Sequence, residues 1–138
     1  MHNPVMTRVA IYGLLILLSL FVLFHFAILL GIVPYGMVWG GRLKSHDQML
    51  SFETFSILVN LFMVAVIAVR AGFLRLRVPA LVLKTALWIM FVLFLLNTAG
   101  NALSTNGLEQ LLFTPITLLL AFFSLVLALS KEQKPSWK

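Results

Sequence analysis

The chain has 138 residues, of which 62% are hydrophobic and 10% are charged, and its mean hydropathy is +1.07. Soluble domains contain roughly 45–50% apolar residues, so this composition excludes an ordinary soluble domain and predicts a protein that needs a bilayer as its solvent. The absence of cysteine excludes disulfides, thiolate metal sites and thiol redox chemistry, and we attribute the net charge of +6 to membrane topology and expect no nucleic-acid partner.

Four apolar segments alternate with polar connectors, and each is long enough to cross the roughly 30 Å hydrocarbon core of a bilayer as a helix. The predicted spans are residues 9–33, 48–69, 80–101 and 109–129. They predict an all-α integral membrane protein, a four-transmembrane-helix bundle in which residues 1–138 form a single domain.

The first span has only two clearly polar residues in its interior, Ser19 and His25. It is too long for a signal-peptide core of roughly 7–15 residues, so we expect it to be retained. Pro34 disfavours the helical conformation of the preceding residue, which predicts that the helix ends at Val33.

The connector after the first span, VPYGMVWGGRLKSHDQ, contains Tyr35, Trp39 and Arg42. Tyrosine and tryptophan favour membrane interfaces, the glycines permit tight turns, and arginine offers a fork of hydrogen-bond donors. The connector is therefore either a simple link between two helices or the rim of a site.

The second span follows three candidate helix caps, Ser45, His46 and Asp47. Its early turns contain Glu53, and Asn60 follows seven positions later on nearly the same helical face.

The third span ends with Asn97 and Asn101, an i, i+4 pair, and residues 104–107 (STNG) predict a turn. In the fourth span Thr114 precedes Pro115, which marks either the start of the regular helix or a kink.

Basic residues are distributed unevenly between the two sides of the predicted bundle, and only Arg42 and Lys44 lie on the minor side. By the positive-inside rule both termini are cytoplasmic, which predicts a multi-pass protein of the cell membrane. We expect anionic lipid headgroups near Arg70, Arg75 and Arg77, and a homo-oligomer or a protein partner is compatible with the sequence. The basic residues of the major side are Arg8, Arg70, Arg75, Arg77, Lys84, Lys131, Lys134 and Lys138.

All four spans place polar residues in the half of the bundle that faces outside. An unpaired polar group in hydrocarbon costs several kcal/mol, so these residues are expected to turn inward and form an outward-facing polar pocket. The candidate ligand-binding residues are His25, Trp39, Arg42, Glu53, Asn60, Asn97, Asn101 and Thr114.

A structural interpretation stays open for each of these residues. His25 can be a neutral hydrogen-bonding group between helices, Glu53 can favour the positive end of a helix dipole, and the asparagines can fix helix packing. His2 and His46 lie outside the spans and provide no clear second metal ligand. We therefore assign no catalytic residue, no metal and no cofactor.

The sequence favours a small protein that binds, and could also transport, a small amphipathic molecule, a lipid headgroup or an ion. The alternative is a non-catalytic partner subunit or membrane scaffold. A second alternative is a membrane enzyme with His25 and Glu53 as an acid–base pair acting on a lipid-like substrate. Vitamin K epoxide reductase-like enzymes are excluded because they need paired cysteines.

Overall fold

The computed structural model describes residues 3–132, so His2, Lys134 and Lys138 lie outside the described part of the chain. Residues 3–132 are all-helical, without strands. Within this range four helices are long and apolar enough to cross a membrane, the fourth being Glu109–Leu129 with its π-helical turn included, which confirms the predicted helical architecture. The helices are α1 Pro4–Leu29, α2 His46–Arg70, α3 Ala80–Ala102 and α4 Thr114–Leu129, with a π-helical turn Glu109–Phe113 leading into α4.

Local hydrogen bonds define both ends of α1. Asn3 Oδ1 accepts from the N–H groups of Val5 (3.0 Å) and Met6 (3.3 Å), so the helix begins well before residue 9. At the other end Gly31, with φ of 78°, donates to the Ile28 carbonyl in a Schellman turn. The helix thus ends at Leu29, and a left-handed glycine terminates it before Pro34 can act.

Of the three candidate caps of α2, Ser45 is the one that acts. Its Oγ accepts from the Gln48 N–H at 3.2 Å, and Gln48 Oε1 accepts from the Lys44 N–H at 3.0 Å. This reciprocal arrangement resembles a capping box and fixes the direction in which the connector enters α2. At its other end α2 closes with the same glycine turn as α1, at Gly72.

Pro115 is the second residue of the regular helix α4. The residue before it, Thr114, donates its N–H to the Glu109 carbonyl, an i to i−5 bond of the wider π-helical turn. Since proline has no N–H to donate, it is well tolerated at the beginning of a helix. Of the two interpretations of Pro115, the start of the regular helix is therefore the one observed.

The bundle is packed unevenly. Helix α1 packs against α2 and α4, and α3 packs against α4, whereas α2 and α3 scarcely touch. A Cβ atom on Gly13 of α1 would lie 2.3 Å from the Phe123 ring, so the small residue permits the close approach of α1 and α4. All four helices contribute fully buried or nearly buried side chains to one apolar core, among them Leu14, Leu18, Ile67, Leu87, Leu120 and Leu127.

Side-chain contacts show which helix ends lie together. His25, late in α1, contacts Glu53, early in α2, and Thr98, late in α3, contacts Thr117, early in α4. We call this end, with residues 30–45 and 103–108, the loop end. The opposite end contains residues 71–79, and Arg70 contacts Ser130 there. We call it the basic end.

A second, smaller apolar cluster lies at the loop end. Val38 and Leu43 of the first connector are buried against Ile28 of α1 and Met49 of α2. The connector therefore folds back onto the bundle and covers the polar residues beneath it.

Candidate functional site

His25 and Glu53 lie on the buried stripes of their helices. His25 is separated from the buried Leu18 and Ile28 by seven and three positions, and Glu53 follows the buried Met49 by four. These separations place each side chain on the helix face that points into the bundle. The helical period therefore directs an imidazole and a carboxylate toward the same α1–α2 seam.

The two side chains meet in a direct contact. His25 Nδ1 lies 2.5 Å from Glu53 Oε2, and the Glu53 side chain is completely buried while that of His25 is 18% exposed. Trp39 of the connector donates its indole N–H to the other carboxylate oxygen at 2.7 Å. Both oxygens of Glu53 are thus paired, one with α1 and one with the connector.

A second buried carboxylate, Glu109, lies at the same end and is not among the predicted site residues. Its two oxygens accept from the Gly40 N–H at 2.9 and 3.1 Å, and Oε2 also accepts from the Ser104 hydroxyl. Glu109 is only 6% exposed. The sequence signal that could have identified it is its position, since like Glu53 it is an acidic residue near the beginning of an apolar span.

The backbone of the connector explains how neighbouring residues contact the two carboxylates. Trp39, Gly40 and Gly41 have φ values of 55°, 62° and 70°, so three successive residues are left-handed. This conformation costs a non-glycine residue roughly 1–2 kcal/mol. It directs the Trp39 indole toward Glu53 and the Gly40 N–H toward Glu109.

A further contact joins the connector to the loop between α3 and α4. Asn106 donates its side-chain N–H to the Met37 carbonyl, while its Oδ1 accepts from the Leu108 N–H at 3.0 Å. We call the contacts of the connector with the side chains of Glu53, Glu109 and Asn106 the clasp. It consists of the hydrogen bonds from Trp39 to Glu53, from Gly40 to Glu109, and from Asn106 to Met37.

The other predicted site residues do not join His25 and Glu53. Asn60 donates to the Ser56 carbonyl of its own helix at 2.8 Å, and Thr114 Oγ1 lies 3.4 Å from the Glu109 carbonyl oxygen. Asn97 and Arg42 are exposed. Of the eight predicted site residues, only His25, Trp39 and Glu53 meet directly.

Asn101 belongs to a separate polar cluster between α3 and α4. Its Nδ2 lies 3.4 Å from Thr117 Oγ1, which also contacts Thr98 Oγ1 at 3.0 Å. Thr117 Oγ1 further bonds the Phe113 carbonyl at 2.8 Å, within its own helix. These bonds join α3 to α4 and satisfy the hydroxyl groups within the bundle.

A largely apolar groove of about 330 Å³ lies at the loop end of the same seam, and its lining includes neither His25 nor Glu53. Its lining includes Leu29, four positions after His25 on α1, and Met49, four positions before Glu53 on α2. The groove is therefore displaced from the pair by about one helical turn toward the loop end. His46 lies on its lining.

The chemistry of the pair follows from its hydrogen bonds. When Glu53 is ionised its oxygens only accept, so its hydrogen bond with His25 then places a proton on Nδ1 and orients the ring. Within residues 3–132, Nε2 of the same ring has no hydrogen-bond partner. It can accept a hydrogen bond when the ring is neutral and donate one when the ring is protonated.

No group of three or more His, Asp or Glu side chains converges in residues 3–132 in a way that could hold a metal ion. Comparisons with protein-family models, with curated proteins and with solved structures find no match to the chain. A proposal about the function therefore rests on the contacts described above.

Proposed function

We propose that the protein binds a small amphipathic molecule at the loop end, and that His25 contacts the polar group of this ligand. The observation that carries the proposal is the state of the imidazole. Glu53 Oε2 lies 2.5 Å from His25 Nδ1, and the His25 side chain is 18% exposed. His25 Nε2 has no hydrogen-bond partner within residues 3–132. A ring oriented by a buried carboxylate is prepared to bind through its second nitrogen.

The neighbouring groove favours an amphipathic ligand over an ion. It is about 330 Å³ in volume and is lined mainly by apolar residues of α1 and the connector. A short hydrocarbon chain could occupy it while the polar group lies one helical turn deeper at His25. A hydrated ion would gain nothing from the apolar walls.

The proposal places the protein in the cell membrane with both termini in the cytoplasm, as the distribution of basic residues favours. The loop end then faces outside. Within residues 3–132 the core between the helices is largely apolar and includes the fully buried Leu14 and Leu120, and the buried Ser124 hydroxyl donates to the Leu120 carbonyl of its own helix. We therefore propose binding and do not include transport.

A second candidate function is that of a membrane scaffold or partner subunit, in which the polar residues only fix the fold. One observation favours it: no buried side-chain nitrogen or oxygen in residues 3–132 lacks a hydrogen-bond partner. Such a bundle could form a homo-oligomer or bind another protein through its lipid-facing surface. The two candidates differ in what His25 is needed for.

A substitution that keeps the Glu53 contact but removes Nε2 separates them. His25→Asn retains an N–H donor near the position of Nδ1 and lacks the second ring nitrogen. The protein is placed in lipid nanodiscs, and its melting temperature is measured with dodecanol, dodecanoate or dodecyltrimethylammonium. Asn97→Ala, which removes an exposed amide on α3, is the matched control.

We expect dodecanol or dodecanoate to raise the melting temperature of the native chain and of Asn97→Ala, but not that of His25→Asn. A ligand at a hundred times its Kd stabilises the folded state by about 2.7 kcal/mol, which is readily detected. If none of the three probes shifts the melting of the native chain, the scaffold is favoured. A shift that persists in His25→Asn would remove His25 from the proposed site.

A further inference from the structure

The basic end contains a buried side chain whose charge is opposite in sign to that of Glu53 and Glu109. Arg70, the last residue of α2, is only 8% exposed. Its Nη2 donates to Ser130 Oγ at 2.8 Å and to the Lys131 carbonyl at 2.9 Å. Within residues 3–132, Nε and Nη1 make no hydrogen bond, although no buried side-chain nitrogen in this range lacks a partner. These two nitrogens therefore reach the accessible surface.

The surface that they reach is a groove of about 480 Å³ between α2, α3 and α4. It exists because α2 and α3 scarcely touch, which leaves α4 as its floor. Lys84 of α3 and Lys131 after α4 lie on its lining together with Arg70, and Glu132 is the acidic residue among them. Three cations against one carboxylate make the groove net positive.

We infer that this groove binds the phosphate of an anionic phospholipid. A guanidinium with N–H groups still available suits a phosphate, because hydrogen bonds between charged donors and phosphate oxygens are among the strong ones. Lys84 and Lys131 would add the charge that distinguishes an anionic headgroup from a zwitterionic one.

The walls of the groove favour a lipid over free phosphate. Leu81 and Leu87 of α3 and Leu127 of α4 line it beside the cations. Leu81 is 74% exposed, so it continues the groove onto the surface of a helix long and apolar enough to cross a membrane. An acyl chain can lie along this surface while its phosphate contacts Arg70, whereas free phosphate gains nothing from the leucines.

Binding of one lipid in this groove differs from a general attraction of residues 71–79 to anionic membranes. Arg75 and Arg77 are exposed within residues 71–79 and do not line the groove. They provide a matched control, because replacing both removes the same charge as replacing both Lys84 and Lys131. A diffuse surface effect would depend on the two pairs equally.

The test is a lipid titration of the full chain in detergent, followed by native mass spectrometry. Phosphatidylglycerol is the anionic probe, phosphatidylethanolamine the zwitterionic probe, and inorganic phosphate the competitor. We compare the native chain with Lys84→Gln/Lys131→Gln and with Arg75→Gln/Arg77→Gln. Both lysines are exposed, and Lys131 contacts Arg70 through its backbone carbonyl, so the variant keeps that bond. Lys84→Gln alone provides a second variant if the double variant melts at a lower temperature.

We expect one tightly retained phosphatidylglycerol, with an affinity reduced about tenfold or more in the lysine double variant and about fivefold in Lys84→Gln. The arginine double variant should change it by less than about twofold if the groove holds the lipid. Equal losses in the two double variants would overturn the inference. Equal retention of phosphatidylethanolamine, or displacement by inorganic phosphate at comparable concentration, would overturn the assignment to an anionic lipid.

Discussion

The two ends of the bundle bury charge in opposite ways. At the loop end, Glu53 and Glu109 are enclosed by hydrogen bonds from a connector that folds back over them. At the basic end, Arg70 donates hydrogen bonds to two neutral oxygens and faces an open groove. Buried acidic side chains are thus covered at one end of the molecule, whereas a buried basic side chain faces an open groove at the other.

This difference teaches that burial alone does not identify a site. Each oxygen of Glu53 already has a donor, so what remains for a ligand is the second nitrogen of His25. Arg70 has donors directed toward the accessible surface, so it can bind a ligand itself. Substitutions at the two ends should therefore differ in their effects on the stability of the protein as well as on ligand binding.

The largest effect is expected for His25→Ala. It removes the partner of a completely buried carboxylate and leaves Glu53 with the Trp39 indole alone. Removing the partner of a buried carboxylate in this way costs about 3–5 kcal/mol. The free energy of unfolding, measured by equilibrium denaturation in mixed micelles, should fall by this amount.

The double variant His25→Leu/Glu53→Leu is the control for this interpretation. Replacing a buried pair by apolar residues of similar volume is often nearly neutral, so the double variant should be more stable than His25→Ala. A double variant as unstable as the single one would show that volume and packing at the seam, and not the orphaned charge, determine the loss.

The next effect is expected for Glu109→Ala. It leaves the Gly40 N–H and the Ser104 hydroxyl without their acceptor at a buried position. The loss of hydrogen bonds to a charged group should destabilise the protein by about 2–3 kcal/mol. Gln110→Ala, on the exposed neighbouring residue, is the comparison in the same denaturation experiment.

Hydrogen exchange should place this loss at the clasp. The amides of the connector, Gly40 above all, should exchange faster in Glu109→Ala, while those of the apolar core should keep their order of protection. Unchanged exchange at Gly40 would contradict the assigned contact.

A smaller loss of stability is expected at the basic end, for Arg70→Ala. This change leaves two neutral acceptors, Ser130 Oγ and the Lys131 carbonyl, beside a groove that water can enter. The destabilisation should be about 1–2 kcal/mol, the range of ordinary hydrogen bonds. A loss as large as that of His25→Ala in the same micelles would contradict the contrast between the two ends.

The fold was predictable because the length and apolarity needed to cross a bilayer are legible in the sequence. Exact helix ends were less so: Val33 was the expected end of α1, but Gly31 forms a turn that ends the helix at Leu29. The sequence contains the signal, since glycine is the usual residue of such turns, but Pro34 predicts a later helix end.

The site was predictable only in part. His25 and Glu53 could be placed on one side of the bundle by counting residues, and the structure brings them into contact. Glu109 could not be paired, because its donor Gly40 is 69 residues away and depends on the left-handed turn of the connector. Asn97 is exposed because the buried face of α3 passes through Phe94, Thr98 and Asn101, about one residue out of register with it.

The smallest effect, and the finest test of the clasp, is expected for Gly40→Ala. Gly40 has φ of 62°, and an added Cβ would meet only the Arg42 side chain, at 3.6 Å, an ordinary contact. The cost is therefore one of backbone conformation, about 1 kcal/mol. Gly36→Ala, in the same connector, has open space around its Cβ and no positive φ, so it should be within about 0.5 kcal/mol of the native chain. Equal stabilities of the two variants would mean that the connector adopts another conformation, and the indole of Trp39 would then not be directed toward Glu53.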